Sequence, residues 1–176
     1  MARRDSREAM TIFEGADMRR TLAGLAGGLI LAWLAVPAWG ATDLPAAVDL
    51  RAEAAAAARH GAPLVVIFSR KDCKYCETVK RDYLKPLAAS PRYRDRVVVR
   101  QINQDGDQAL NDFNGGATSH ARFAAGEKIK LVPVVAFYGP DGRKLADPIV
   151  GARLPDFYQS YLEEAVEEAA KALKKP

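Results

Sequence analysis

Hydrophobic and polar positions along the chain switch between two periods, and each switch marks a new element. The run Pro63-Leu64-Val65-Val66-Ile67-Phe68 is continuously apolar, as expected of a strand buried on both faces. Before it, the alanine run 54–58 favours helix by propensity, with a stop at His60-Gly61. After it, Cys73, Cys76, Val79, Tyr83, Leu84 and Leu87 fall at helical spacing, and Pro86 marks a kink or an end. Val97 to Ile102 predicts a second strand, followed by a polar stretch with two loop signals, Asp105-Gly106-Asp107 and Asn114-Gly115-Gly116. Thr118 is placed to cap a short helix through Ala125.

Val132 to Tyr138, the turn Gly139-Pro140-Asp141-Gly142 and Lys144 to Val150 read as a hairpin. Pro133 stands at its first position, where a missing backbone donor is tolerated. In the last helix Asp156 is the expected cap, and Phe157, Tyr161, Leu162, Val166, Ala169, Ala170 and Leu173 form an apolar stripe. Glu163, Glu164, Glu167 and Glu168 line its solvated face, with a Glu167–Lys171 pair one turn apart. The order helix-strand-helix-strand-helix-strand-strand-helix implies an α/β fold, a central mixed sheet flanked by helices on both faces.

Size and composition bound this picture without changing it. The 176 residues suffice for one domain and a leader, and 49% hydrophobic with 27% charged residues is the composition of a globular protein. Net charge is +4. Residues 1–40 hold five Arg against four acids, so the remainder carries 21 basic and 18 acidic side chains, a balance too mild for a nucleic-acid partner.

The first forty residues read as a leader. No charge occurs from Thr21 to Thr42, Arg19-Arg20 precede this apolar stretch, and Ala38-Trp39-Gly40 place small residues at the −3 and −1 positions of a secretory cleavage site. Cleavage after Gly40 would leave a mature domain of residues 41–176 and a periplasmic location; an uncleaved membrane anchor is the alternative. Residues 1–17 are a polar extension of mixed charge, and Met18-Arg19-Arg20 would open a conventional signal by itself, which makes Met18 the expected start. All methionines (Met1, Met10, Met18) and both tryptophans (Trp33, Trp39) precede the cut.

Chemistry enters with the two cysteines, Cys73 and Cys76. Random placement would set two cysteines three apart only about once in ninety chains, so the spacing carries information. A bond between them closes too short a loop to stabilise the fold much. Cys73 follows a buried strand and opens a helix, where unpaired backbone donors and the helix dipole favour a thiolate. Arg70, Lys71 and Lys74 add positive charge against Asp72. Cys76, one turn on, points back into the protein, where thiolates are less stable. Zinc would need two further ligands, and the only other soft candidates, His60 and His120, lack ligand spacing and sit at polar positions typical of the surface. Redox chemistry without metal or organic cofactor is the expectation, and a metal- or partner-binding module is its rival.

Phe68-Ser69-Arg70-Lys71-Asp72-Cys73-Lys74-Tyr75-Cys76 on a strand-to-helix turn, with Val132-Pro133 later and Val150-Gly151 before the last helix, resembles the thioredoxin superfamily. Within it the pattern is similar to exported, SoxW-like thioredoxin-fold thiol–disulfide oxidoreductases. The resemblance runs from about Ala47 to Leu173 and implies a thioredoxin-like three-layer fold. It also implies Cys73 and Cys76 as the catalytic pair, a cis bond before Pro133, and Tyr75, Val132 and Pro133 beside the substrate. Departures are visible: Lys74-Tyr75 replaces Gly-Pro, Asp72 replaces Trp, and Ile67 stands where thioredoxins carry a buried acid. The implied partners are disulfide-containing exported proteins and a membrane electron donor, and the dipeptide leaves reductase, isomerase and oxidase open.

Overall fold

The continuous apolar run forms one of the two inner strands of a four-stranded sheet, buried over its whole length. The computed structural model describes residues 44–94, 96–152 and 155–174; the leader, with its expected cleavage site and the start at Met18, lies outside the described residues. Chain order is α1 (Leu50–Arg59), β1 (Leu64–Ser69), α2 (Lys74–Val79), a π-helical turn (Lys80–Leu84), α3 (Lys85–Ala89), β2 (Val98–Asn103), β3 (Ala109–Asn111), β4 (Ala117–Ser119), α4 (His120–Gly126), β5 (Val134–Tyr138), β6 (Lys144–Val150) and α5 (Pro155–Leu173). The main sheet runs β2-β1-β5-β6, with β1 parallel to β2 and antiparallel to β5, and β5 antiparallel to β6.

Strand parity assigns side chains to two cores, because successive residues of a strand point to opposite faces. Leu64, Val66 and Phe68 of β1 and Val134, Ala136 and Tyr138 of β5 meet Leu50, Ala54 and Ala57 of α1 and Ala124 of α4. Val65, Ile67, Val135 and Phe137 face the other way, onto Val79, Leu84 and Leu87 of the α2–α3 segment and Tyr158, Leu162 and Val166 of α5. Helix, sheet and helix therefore form three layers. The outer side of β2 is partly covered by the chain before α1, since Ala47 N–H donates to Gln101 O and Gln101 N–H to Pro45 O, both at 2.9 Å.

Local signals explain most boundaries. Asp49 accepts from the Ala52 amide at 2.8 Å and caps α1, and this bond holds its carboxyl below the usual value. His60 and the left-handed Gly61 (φ +70°) end that helix as expected. Pro86 does not end the helical segment. Its missing amide hydrogen and ring crowding fall just after the widened π turn, and the helical path continues to Ala89.

Several expectations need correction. The polar stretch after β2 contains a small hairpin, β3–β4, turned by Asp112, whose carboxylate accepts the Asn114 and Gly116 amides at 2.8 Å each. Thr118 is consumed by that hairpin, paired with Leu110, and Ser119 caps α4 by accepting from Arg122 N–H. Asp156 lies in the first turn of α5 rather than at its cap. The stripe of α5 holds at Leu162, Val166, Ala169 and Ala170 but not at its two leading aromatics. Tyr158 is buried, with its ring 4.5 Å from that of Tyr83, while Phe157 and Tyr161 stay exposed. Positions 157/161 and 158/162 lie on adjacent faces of a helix, and the contact with Tyr83 selects the second pair. Burial pushes the Tyr158 hydroxyl to a raised pKa. Glu167 bonds Arg92 at 3.0 Å, across to the α3–β2 connection, where Lys171 was expected.

Candidate active site

β1 and β2, parallel neighbours, deliver the segments that build the site at their carboxyl ends. Gln104 N–H donates to Ser69 O at 2.8 Å, and the Lys71 amide donates to the Asp105 carboxylate at 3.0 Å, so the chain leaving β1 is pinned to the chain leaving β2. Asp72 then takes a left-handed conformation (φ +58°), which Asp tolerates better than most side chains because its short polar group bonds locally. This reversal aims Cys73 outward at the start of α2.

Cys73 is the N-cap of α2. Its Sγ accepts from the Cys76 amide at 3.2 Å, so a sulfur fills the role that an oxygen plays in ordinary caps. The two sulfurs are bonded to each other, with Cα atoms 5.2 Å apart. Their exposures differ: Cys73 is 9% exposed and Cys76 0%. An incoming group reaches the first sulfur and not the second.

Two clefts meet above the pair. One, of about 330 Å³, contains Cys73 and is walled by Arg70, Lys74 and Tyr75 on the α2 side and by Lys130, Leu131 and Val132 opposite. The other, also about 330 Å³, is lined by Tyr75, Val132, Pro133, Gly151 and Ala152 and holds no charged side chain. Tyr75, 66% exposed, and Val132 border both. The Val132–Pro133 peptide bond is cis, and Pro133 O accepts from Gly151 N–H at 2.8 Å, which ties the start of β5 to the turn after β6. Gly151 adopts φ +80°, a conformation that suits glycine. The fold thus gathers Cys73, Cys76, Tyr75, Val132, Pro133, Arg70 and Lys74 at one end of the sheet. Lys71 is set apart: it lines a neighbouring polar cleft of about 440 Å³ together with Glu77, Lys80 and Asp105.

That neighbouring cleft holds residues the sequence reading did not single out. Lys80 is 3% exposed, its Nζ lies 2.6 Å from Glu77 Oε1 and 3.3 Å from Gln101 Oε1. Gln101 pairs in register with Ile67 across the β1–β2 ladder. A signal was present: Lys80 stands four residues after Cys76, on the helical face that the apolar pattern sends inward. Lys130 and Leu131 were missed for the opposite reason, because nothing local marks an irregular segment that only tertiary contact brings to Cys73.

Neither histidine lines the cleft that contains Cys73. His60 is exposed, as expected, but His120 is fully buried at the start of α4, against the expectation of a surface position. Its Nδ1 accepts from Asn103 N–H at 3.1 Å, which makes Nε2 the donor to Ala47 O at 2.8 Å. Both nitrogens are used by the backbone, and this is why a polar residue is stable there. Among the described residues no three His, Cys, Asp or Glu side chains are grouped to hold a metal ion, and no helix is long and apolar enough to cross a membrane.

No curated protein matches the chain by sequence. Among solved structures the chain is similar to mitochondrial thioredoxin 3 of Saccharomyces cerevisiae in its oxidized form, at 16% identity over 71% of this chain and 94% of that one (TM-score 0.47). It is also similar to the thioredoxin of Fasciola hepatica, at 16% identity over 72% and 99% (TM-score 0.49), and to a thioredoxin-fold protein from Helicobacter pylori, at 19% identity over 64% and 80% (TM-score 0.45). The thioredoxin-like domain family matches residues 50–166, from the start of α1 into α5. The chain therefore belongs to the thioredoxin-like domain family, and its Cys73-x-x-Cys76 pair makes it a thiol–disulfide oxidoreductase.

Proposed function

We propose that the protein is exported and reduces or rearranges disulfides in other exported proteins, in the manner of SoxW-like oxidoreductases. The observation that carries the division of labour is the contrast between Cys73, open at the base of a cleft, and Cys76, sealed beneath it. In the dithiol form the Cys73 thiolate attacks one sulfur of a substrate disulfide. A Cys73–substrate disulfide forms, and the substrate's second sulfur leaves as a thiolate. Cys76 then loses its proton and attacks Cys73 Sγ, releasing the first substrate sulfur. The substrate gains two electrons, and the protein ends as the Cys73–Cys76 disulfide seen in the structure.

Arg70 and Lys74, in the same cleft as Cys73, favour its thiolate over its thiol. Lys71 contributes through its backbone, which fixes the turn on Asp105. Tyr75, Val132 and Pro133 supply the walls against which an extended segment carrying the target disulfide lies. Return to the dithiol requires a two-electron reductant, and for an exported protein a membrane dithiol donor has that chemistry. Thiol–disulfide exchange itself needs no metal or organic cofactor.

Export is tested by mass spectrometry of the protein recovered from the periplasm of a bacterial host. The expected polypeptide begins at Ala41. A protein that keeps residues 19–40 contradicts cleavage and favours the membrane anchor.

A further inference from the structure

The two clefts that meet at Tyr75 and Val132, one of them holding Cys73, differ in charge, and the difference points to a substrate class. In the Cys73 cleft Arg70, Lys74 and Lys130 stand against a single acid, Asp72. The second cleft has no charged side chain. Several other cations are neutralised in place, Arg81 by Asp82 at 2.6 Å, Arg92 by Glu167 at 3.0 Å, Arg100 by Glu53 at 3.0 Å and Lys144 by Glu127 at 2.8 Å, and among the described residues those that are not, such as Arg59, Arg122 and Lys171, do not line the Cys73 cleft. Among the described residues no carboxylate lies within ion-pair distance of Arg70, Lys74 or Lys130. Their charges come from both walls of the cleft, two from the turn and first helical turn around Cys73 and one from the segment leading into β5. The lip also carries Leu131, 70% exposed, and Tyr75, 66% exposed, so apolar contact is on offer beside the cations.

We propose that this oxidoreductase selects disulfides whose cysteine is flanked by acidic side chains, the carboxylates entering the cationic cleft. The inference rests on the thiol–disulfide reading of the same site and adds the chemistry of its substrate. Carboxylates there would lie between Lys130 and the Arg70–Lys74 side, screened less than on an open surface, and would also steer encounter.

The test uses three short synthetic peptides of identical length, each with one cysteine held as a mixed disulfide with the same small fluorescent thiol. Asp, Ser or Lys flanks the cysteine. Each rate of release by the reduced protein is divided by the rate with dithiothreitol, which removes the intrinsic effect of the flanking charge on the disulfide. The expected order is acidic, neutral, basic, with kcat/KM for the acidic peptide about three- to tenfold above the neutral one. That ratio should fall toward one at about 1 M salt, where the screening length is about 3 Å. Lys130→Glu, which changes the wall opposite the cysteine turn, should cut the acidic-to-neutral ratio, read within the variant so that any general loss cancels. Equal normalised rates, a preference for the basic peptide, or an acidic preference that Lys130→Glu leaves unchanged overturns the charge selection alone. Failure to reduce all three peptides overturns the oxidoreductase reading with it.

Discussion

Alanine at Cys76 is expected to turn the protein into a covalent trap. The attacking sulfur remains at the base of its cleft, but the sulfur that would release it is gone, so mixed disulfides with substrate proteins accumulate and disappear on adding reductant. Alanine at Cys73 removes the only sulfur that a substrate can reach, because Cys76 has no exposed surface. That variant should form no complexes, and catalysed turnover should fall to background in both. The measurement is non-reducing electrophoresis of the tagged variants after exposure to oxidised substrate proteins, together with alkylation rates near neutral pH. Cys73 should alkylate faster in Cys76→Ala than Cys76 does in Cys73→Ala. Equal trapping by the two variants, or faster alkylation of Cys76, would reverse the assigned roles.

His120→Ala should be the most damaging polar substitution away from the sulfurs. The ring is fully buried and joins three parts of the fold: α4, which carries it, the end of β2 through Asn103 N–H, and the segment before α1 through Ala47 O. Its loss leaves a donor and an acceptor without partners in a closed core, a cost of about 3 kcal/mol. For a domain of this size that corresponds to a fall in Tm of about 10 °C. His120→Phe leaves no cavity but also makes no hydrogen bond, and should recover little, since the missing hydrogen bonds carry the cost. Thermal unfolding of both variants is the check, and a ΔΔG within about 0.5 kcal/mol of zero contradicts this account of the histidine.

How far the sequence foretold this site depends on the range of the interaction that decides each part. β1 was legible because a run of six apolar residues has few other uses, and the cysteine turn because its spacing, its preceding strand and its helical continuation agree. The β5–β6 hairpin was legible from its turn. The β3–β4 hairpin was not, since three-residue strands carry no measurable period and their turn is made by the Asp112 side chain rather than by a tight two-residue loop. The aromatic end of the α5 stripe was misassigned because Phe157 and Tyr158 are both aromatic, and only the tertiary contact with Tyr83 chooses between them. His120 looked like a surface residue because a polar side chain declares its hydrogen-bond partners only when distant backbone arrives. The same holds for the Lys80, Glu77 and Gln101 cluster and for Lys130: a cleft assembled from three separated segments has no sequence signature of its own.

The central claim is that Cys73 and Cys76 form one reversible two-electron couple, and a redox titration measures it directly. The purified protein is equilibrated in graded mixtures of reduced and oxidised glutathione, quenched with acid and alkylated with a mass-adding maleimide. The account predicts that both thiols disappear together in a single transition, with the dithiol-to-disulfide ratio changing tenfold for each step of about 30 mV. Thiols that alkylate equally across the series, or that are lost one at a time, would contradict it.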